Sequence, residues 1–345
     1  MTAAWPPMTA GPGVLRGASA TWGRYGVVTT RSPWALAEPR LAAAPARVAR
    51  VETLERAELE RTATELSGVA RVVGLGGGLA LDAAKLVAWR LGVPLVQVPS
   101  SASNNACFTR TSGCLERGRR APMRDGPVPE AVVVDHELIA RAPARLNRAG
   151  IGDLLSSHSA LADWELAHRA GRAVDWDAAV RDRTRCELDQ LATLAPDVGA
   201  GRLEAFVGLL AMGERFAPTF LRLPRARFNA ASEHLLAWCL EERTGRRLLH
   251  GEIVSLGVVL MAHLQGNAPE VAAATVRAAG VPIQPAAVGT SWEEIEAAVL
   301  ALPEYARDVV PWYTVIDPLV DGDPARERLR ARFHAARAFV EVLSC

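Results

Sequence analysis

Arg71-Val-Val-Gly-Leu-Gly-Gly-Gly-Leu-Ala-Leu-Asp-Ala-Ala-Lys85 is the stretch around which the chain is organised. An apolar run ends in Gly76-Gly77-Gly78, and a helix-forming segment, Leu79 to Arg90, follows at once. A buried strand thus feeds a tight glycine turn that opens a helix. Glycine lets the backbone take positive φ and lets a ligand come close to it. The helix start leaves N–H groups without partners and carries partial positive charge, which suits a phosphate or pyrophosphate. Asp82 is expected in the first turn, where the dipole favours a carboxylate. Lys85, three residues on, shares its face. Glycine runs also serve packing alone, so composition sharpens the reading. Of the 39 Lys plus Arg residues, Lys85 is the only lysine. A chain so biased to arginine that keeps one lysine points to a need for a compact ammonium there.

Working outward, 345 residues exceed one ordinary core and predict two domains. Half the residues are hydrophobic and the net charge is +1, a globular enzyme-like balance with no electrostatic case for nucleic acid. No apolar run reaches the roughly 18 residues of a membrane span. The start, MTAAWPPMTAGPG, lacks the basic and apolar regions of a secretory signal, and residues 1–12 read as a loose tail. Five cysteines, at 107, 114, 186, 239 and 345, form no CxxC pair, which fits a reducing compartment and a cytoplasmic location.

Strands are expected at Tyr25–Thr30, Ala46–Glu52, Val93–Val98 and Glu130–Asp135, besides the one entering the glycine turn. Arg31–Trp34 reads as a turn, Thr53 as the cap of a helix running to Leu66, and Gly118–Pro129 as an exposed loop or hairpin. Strands that alternate with helices, and are apolar throughout, indicate a parallel sheet covered on both faces, with ligands at the carboxyl ends of its strands. From about Leu146 the texture turns helical, with segments 154–170, 176–194, 203–215, 232–243, 252–265, 269–279, 292–301 and 324–343. The fold class is therefore α/β: a Rossmann-like parallel-sheet domain over residues 1–147, then an all-α domain over residues 148–345.

Three side chains stand out in the helical half. Asp153 follows Ala149-Gly-Ile-Gly152 and is expected to open a helix. His234 comes early in Ala231-Ser-Glu-His-Leu-Leu, and His250 begins Leu248-Leu-His-Gly-Glu-Ile-Val. One carboxylate and two imidazoles can hold a divalent metal and leave a position open. Spacing alone equally allows a helix cap and two polar residues at helix ends.

Five pieces in order, GLGGGLALDAAK, VPLVQVPSSASNNA, PEAVVVDHELIARAPARLNRAGIGDLLSSHSALADWELAH, RFNAASEHLLAWCLE and LHGEIVSLGVVLMAHL, resemble the iron-containing alcohol dehydrogenase superfamily. That superfamily also holds glycerol dehydrogenase and dehydroquinate synthase, and the likeness is strongest to its sn-glycerol-1-phosphate dehydrogenases. The resemblance implies that Gly76, Gly77, Gly78 and Asp82 hold a dinucleotide pyrophosphate, and that Ser100, Ser101 and Ser103 lie beside the nicotinamide ribose. It implies Asp153, His234 and His250 as metal ligands, with Zn2+ expected and Fe2+ or Ni2+ as alternatives. Arg227 matches an arginine before the Ser-Glu-His motif, suited to forking onto a phosphate or carboxylate. Lys85 matches the family lysine and lines the nicotinamide pocket or steadies the turn. A cleft between the two domains and a homodimer or larger homo-oligomer are expected with it.

Two departures stand in the substrate region. Asn105 replaces an expected aspartate, and an amide cannot take a proton. Trp238 stands four residues after His234 where a second histidine is usual, narrowing the pocket. His158, His168 and His263 read as structural. The first strand ends Thr29-Thr30-Arg31 without the carboxylate that favours NAD(H), and Arg31 can meet a 2′-phosphate, so NADP(H) is preferred over NAD(H). The expected function is metal-dependent NAD(P)H reduction of a small polar ketone, phosphorylated or carboxylated, with Asn105, Arg227 and Lys85 near the chemistry. The alternatives are a dehydroquinate-synthase-like cyclase and a non-catalytic metabolite-binding relative.

Overall fold

The computed structural model describes residues 4–223, 225–320 and 324–343, and Cys345 lies outside the described residues. The chain divides into two compact units, Met1–Asn147 with Phe206–Pro224, and Arg148–Ala205 with Arg225–Cys345.

The first unit holds every strand among the described residues: β1 (Met8–Gly11), β2 (Tyr25–Thr29), β3 (Arg47–Arg50), β4 (Arg71–Gly76), β5 (Leu95–Pro99), β6 (Leu115–Glu116), β7 (Arg119–Arg120) and β8 (Ala131–Asp135). Six of them form a sheet in the order β1-β8-β5-β4-β2-β3, and every pairing is parallel. Central strands β2 and β5 are buried along their whole length, as expected of apolar runs covered on both faces. The connection from β3 returns past β2 to β4, so the strand order reverses between β2 and β4. A parallel sheet opens a crevice at such a switch point, and the glycine turn sits at the carboxyl end of β4. The helix Gly78–Leu91 packs its alanine-rich face and Leu86 against the sheet.

Several local expectations are corrected. The expected loose tail over residues 1–12 is corrected at Met8–Gly11, an edge strand registered on Val132–Asp135, while residues 1–3 lie outside the described residues; the buried Asp135 carboxylate accepts from the Gly13 and Leu15 N–H groups. Arg31–Trp34 is the start of a helix, Arg31–Ala37, because Pro33 falls within its first turn, where its missing N–H costs nothing. Thr53 does not cap the next helix: it accepts from Glu55 N–H, and the helix starts at Arg56. The hairpin forms earlier than expected, with β6 and β7 joined at Arg117-Gly118, whose N–H groups the Glu55 carboxylate accepts at 3.0 and 2.6 Å. Phe206–Pro224 groups with the first unit. There Gly213 lies flush on the Phe108 ring, and Glu214 accepts from Met8 N–H at 2.5 Å.

Among its described residues the second unit holds helices joined by turns and irregular segments, and no strand. Its principal helices are Ala178–Gly199, Ser232–Thr244, His250–Gln265, Pro269–Ala278, Trp292–Val309 and Ala325–Val342, together with most of Ala144–Arg169. The last helix corrects a further expectation, since Asp153 lies in its interior and does not open it. Two glycines in one helix would each cost about 1 kcal/mol, which makes Ala149–Gly152 look like a boundary. Here Gly152 serves close packing. A Cβ on Gly152 would collide with the Gly251 carbonyl, and one on Gly251 with the Ala149 carbonyl.

Candidate functional site

In the first unit the glycine turn and the serine loop face each other. Gly76 has φ +149°, and a Cβ there would stand 2.8 Å from that of Ala80. Ser100 N–H donates to Gly76 O at 2.9 Å, and a Cβ on Gly78 would stand 2.5 Å from Asn104 Nδ2. The loop is fixed by Ser101 Oγ–Ser103 Oγ at 3.0 Å and by Ala102 N–H on Asn147 Oδ1 at 2.8 Å. Ser100, Ser101 and Ser103 are all buried. No acid lies in the first turn of Gly78–Leu91 and no side chain caps it among the described residues. Its leading N–H groups, beside glycines that leave the backbone bare, therefore fit an anionic pyrophosphate.

Asp82 sits in the second turn, not the first, and its oxygens are already engaged: Oδ1 accepts from Lys85 at 2.8 Å, Oδ2 from Gly113 N–H at 2.8 Å. Lys85 is 1 % exposed and spends its three protons on Asp82, Thr109 Oγ1 at 3.2 Å and Thr111 O at 2.7 Å. This single lysine and its partner bind the 109–113 loop to the glycine-turn helix. A guanidinium fork would not direct three donors from one point. Asn105 caps the short 3-10 turn Ala106–Phe108, where Phe108 N–H donates to its carbonyl at 2.8 Å. Arg31 is exposed at the start of the helix after β2, and Arg50 ends the neighbouring β3 in register with Thr29.

In the second unit the three expected ligands meet. Asp153 Oδ1 lies 3.1 Å from His250 Nε2 and 3.6 Å from His234 Nε2, and one ligand atom from each residue falls within 4.8 Å of the others. Two atoms bound at about 2.1 Å to one tetrahedral ion stand about 3.4 Å apart, so the donor set and its spacing fit a divalent metal. Asp153 and His234 are buried and His250 is half-buried. Burial alone would raise the Asp153 carboxyl. The His250 charge and hydrogen bonds from both imidazoles outweigh it and hold the carboxyl well below its ordinary range. Burial opposes the His234 charge, yet its bonds to Asp153 and Glu233 push it up to about 9. A divalent cation would compete with protons for these ligand atoms.

Residues not foreseen from the sequence build the walls of this cluster. Glu233 accepts from His234 Nδ1 at 2.9 Å. Asn229 Nδ2 donates to Asp153 O at 2.7 Å and to Ser156 and Ser157 hydroxyls. Asp163 accepts from Ser232 N–H at 3.1 Å, Ser232 Oγ at 2.5 Å and Val315 N–H at 2.7 Å. The available signal was the acid directly before the ligand in Ser-Glu-His. Trp238 lies beside the cluster, its ring centroid 5.4 Å from that of His234. Arg227 is 4 % exposed; one of its nitrogens donates to Tyr313 O at 2.7 Å, while its buried Nε has no hydrogen-bond partner among the described residues. Of the histidines read as structural, His158 bonds Asn267 O at 2.7 Å, His168 stacks on Trp176, and His263 lies against Phe339.

Comparison with known proteins accords with this geometry. The family model of the iron-containing alcohol dehydrogenases matches residues 34–143. The glycerol-1-phosphate dehydrogenase [NAD(P)+] of Aeropyrum pernix is 31 % identical over 270 residues, covering 78 % of this chain and 74 % of that protein. That of Methanoculleus marisnigri is 28 % identical over 289 residues, covering 81 % and 75 %. Among solved structures, a probable glycerol dehydrogenase from Sinorhizobium meliloti superposes with a TM-score of 0.76 at 23 % identity, covering 98 % of this chain and 99 % of that one. Maleylacetate reductase from Rhizobium sp. superposes at 0.69 with 20 % identity, over 97 % of each chain. At those identities the structural likenesses show the fold alone. The sequence matches carry further: the chain belongs to the iron-containing alcohol dehydrogenase family and is an NAD(P)-dependent dehydrogenase.

Proposed function

We propose that the protein reduces a small ketone bearing an anionic group, phosphate or carboxylate, to its alcohol with NAD(P)H and a divalent metal, zinc being expected. The observation that carries the reading is the mutual approach of Asp153, His234 and His250 within 4.8 Å. These three would hold the metal, and the first unit would hold the dinucleotide. When bound, the metal supplies Lewis acidity towards a carbonyl oxygen and the nicotinamide supplies hydride. The chain's own groups orient the reactants. The bare N–H groups after Gly77 would hold the pyrophosphate, and the Ser100–Ser103 loop would bind beside the nicotinamide ribose. Exposed Arg31 and Arg50, at the carboxyl ends of adjacent strands, support a 2′-phosphate and hence NADP(H).

Arg227 supports the anionic substrate group. A buried guanidinium with an unpartnered Nε is costly unless an anion meets it. Burial pulls its pKa down, and the aspartates 163, 175 and 317 act on it only through space. Asn105 can orient a substrate hydroxyl and hold a proton at Nδ2, but cannot deliver one. Trp238 narrows the space beside His234. Both differ from the pattern that the resemblance implies, which supports a substrate other than dihydroxyacetone phosphate.

The test is a panel of small keto acids and keto phosphates, following oxidation of NADPH and NADH with zinc present. Net consumption of nicotinamide is expected for an anionic ketone, faster with NADPH. His234→Ala and His250→Ala are expected to lose metal and turnover. Arg227→Met is expected to raise KM for the anionic ketone by about 10- to 100-fold, the worth of a hydrogen bond to a charged group. Activity that survives chelation, or full metal content in both histidine variants, would sink the metal reading. Absence of net nicotinamide consumption would favour a cyclase or a binding protein.

A further inference from the structure

We propose that Glu233 is a positioning residue for the metal site, fixing the His234 ring with its Nδ1 proton held and its Nε2 lone pair turned to Asp153 and His250. The proposal rests on the assignment of that trio to a divalent metal.

Glu233 is fully buried, at 0 % exposure. Its Oε1 accepts from His234 Nδ1 at 2.9 Å and from Ala231 N–H at 2.7 Å, and its Oε2 accepts from Ser159 Oγ at 2.8 Å. Among the described residues no lysine or arginine is paired with it, so the imidazole is the only ionisable donor that meets its charge. Burying a carboxylate costs several kcal/mol before compensation. Capping Ala231 N–H alone needs only a neutral hydroxyl or amide. A negative charge kept at that cost, and aimed at the ring nitrogen opposite the ligating one, has an electrostatic use: it sets the tautomer and makes Nε2 a stronger donor.

Glu233 meets all three ligand-bearing helices, its carboxylate bonded by one of them and its backbone packed on another. It stands in Ser232–Thr244 next to His234, and Ser159 reaches it from Ala144–Arg169, the helix of Asp153. On His250–Gln265, a Cβ at Gly257 would stand 3.1 Å from Glu233 O and 3.3 Å from its Cα and Cβ. Glycine there lets the Glu233 backbone press against the third helix. The chain from Ser159 through Glu233 to His234 therefore ties the ring's orientation to the helix that carries Asp153, while Gly257 packs the helix of His250 against the Glu233 backbone.

The experiment titrates Co2+ into the full-length metal-free chain and its variants at one pH, reading affinity and the d–d absorption, with Zn2+ competition. Glu233→Gln keeps the shape and an acceptor oxygen for His234 and Ala231, reverses the Ser159 bond so that its amide donates to Ser159 Oγ, and removes the charge. It is expected to melt as a folded protein, to bind Co2+ about 10- to 100-fold more weakly, and to shift the d–d bands. Ser159→Ala, which leaves the carboxylate but loosens it, is expected to weaken binding in the same direction by a smaller factor. A folded Glu233→Gln with wild-type affinity and spectrum overturns the proposal while leaving the trio standing. Should Glu233→Gln not fold, unchanged affinity and spectrum in Ser159→Ala overturns it instead. A wild-type chain that binds no Co2+, or a His250→Ala variant that binds it undiminished, takes down the trio assignment and the proposal together.

Discussion

Lys85 shows how a residue's role is decided by what its donors already do. Its ammonium is buried and fully engaged by Asp82, Thr109 and Thr111, so it anchors a loop and has no proton to offer a substrate. Lys85→Met is expected to leave the Asp82 charge, 18 % exposed at its side chain, without its cation. Breaking a buried pair by removing one partner costs about 3 kcal/mol, so a clear fall in the denaturant midpoint is expected. Lys85→Arg should fare little better, because a planar fork cannot reach three converging acceptors. A Lys85→Met chain as stable as wild type would show that the pair contributes nothing. At this scale the sequence was legible where chemistry is rare. One lysine among 39 basic residues could be singled out, and so could the Asp and two His. Glu233, Asn229 and Asp163 were not, because acids and amides are common on helices and only the fold shows which are buried.

At the scale of elements, the two glycines flanking the ligands matter as much as the ligands. Gly152 precedes Asp153 and Gly251 follows His250, and the bare backbone at each lets the two helices close until Oδ1 and Nε2 stand 3.1 Å apart. Gly152→Ala would gain helix propensity and yet is expected to lose, since its methyl meets the Gly251 carbonyl. Overpacking of this kind costs about 1–3 kcal/mol. Metal content per chain, measured after dialysis, should fall with it. A variant that is more stable and keeps its metal would refute the close-approach argument. The same glycines explain a misreading of the sequence, since Ala149-Gly-Ile-Gly152 resembles a helix boundary by propensity and is a helix interior by packing. Tertiary contact overrode propensity there. The central strands were easier to read, because a buried parallel sheet demands apolar runs, whereas the edge strand Met8–Gly11 has no such run and was missed.

For the molecule as a whole, the buried polar network couples the second unit's stability to pH. Burial raises the Asp163 carboxyl to about 6, the negative Glu233 adds to the rise, and hydrogen bonds from Ser232 and Val315 oppose it. An unfolded aspartate titrates near 3.8. Between those values the folded chain holds the proton more tightly, so this group's stabilisation is complete below about 4 and is lost as pH rises through about 6. Subtracting Asp163→Asn from wild type in urea midpoints over that window should isolate the slope; parallel profiles would refute it. The lone buried lysine has a different consequence. Amine-directed reagents and lysine-modifying enzymes find no side-chain amine on the folded surface, so covalent tagging of Lys85 reports only those moments when the glycine-turn helix comes away from its loop.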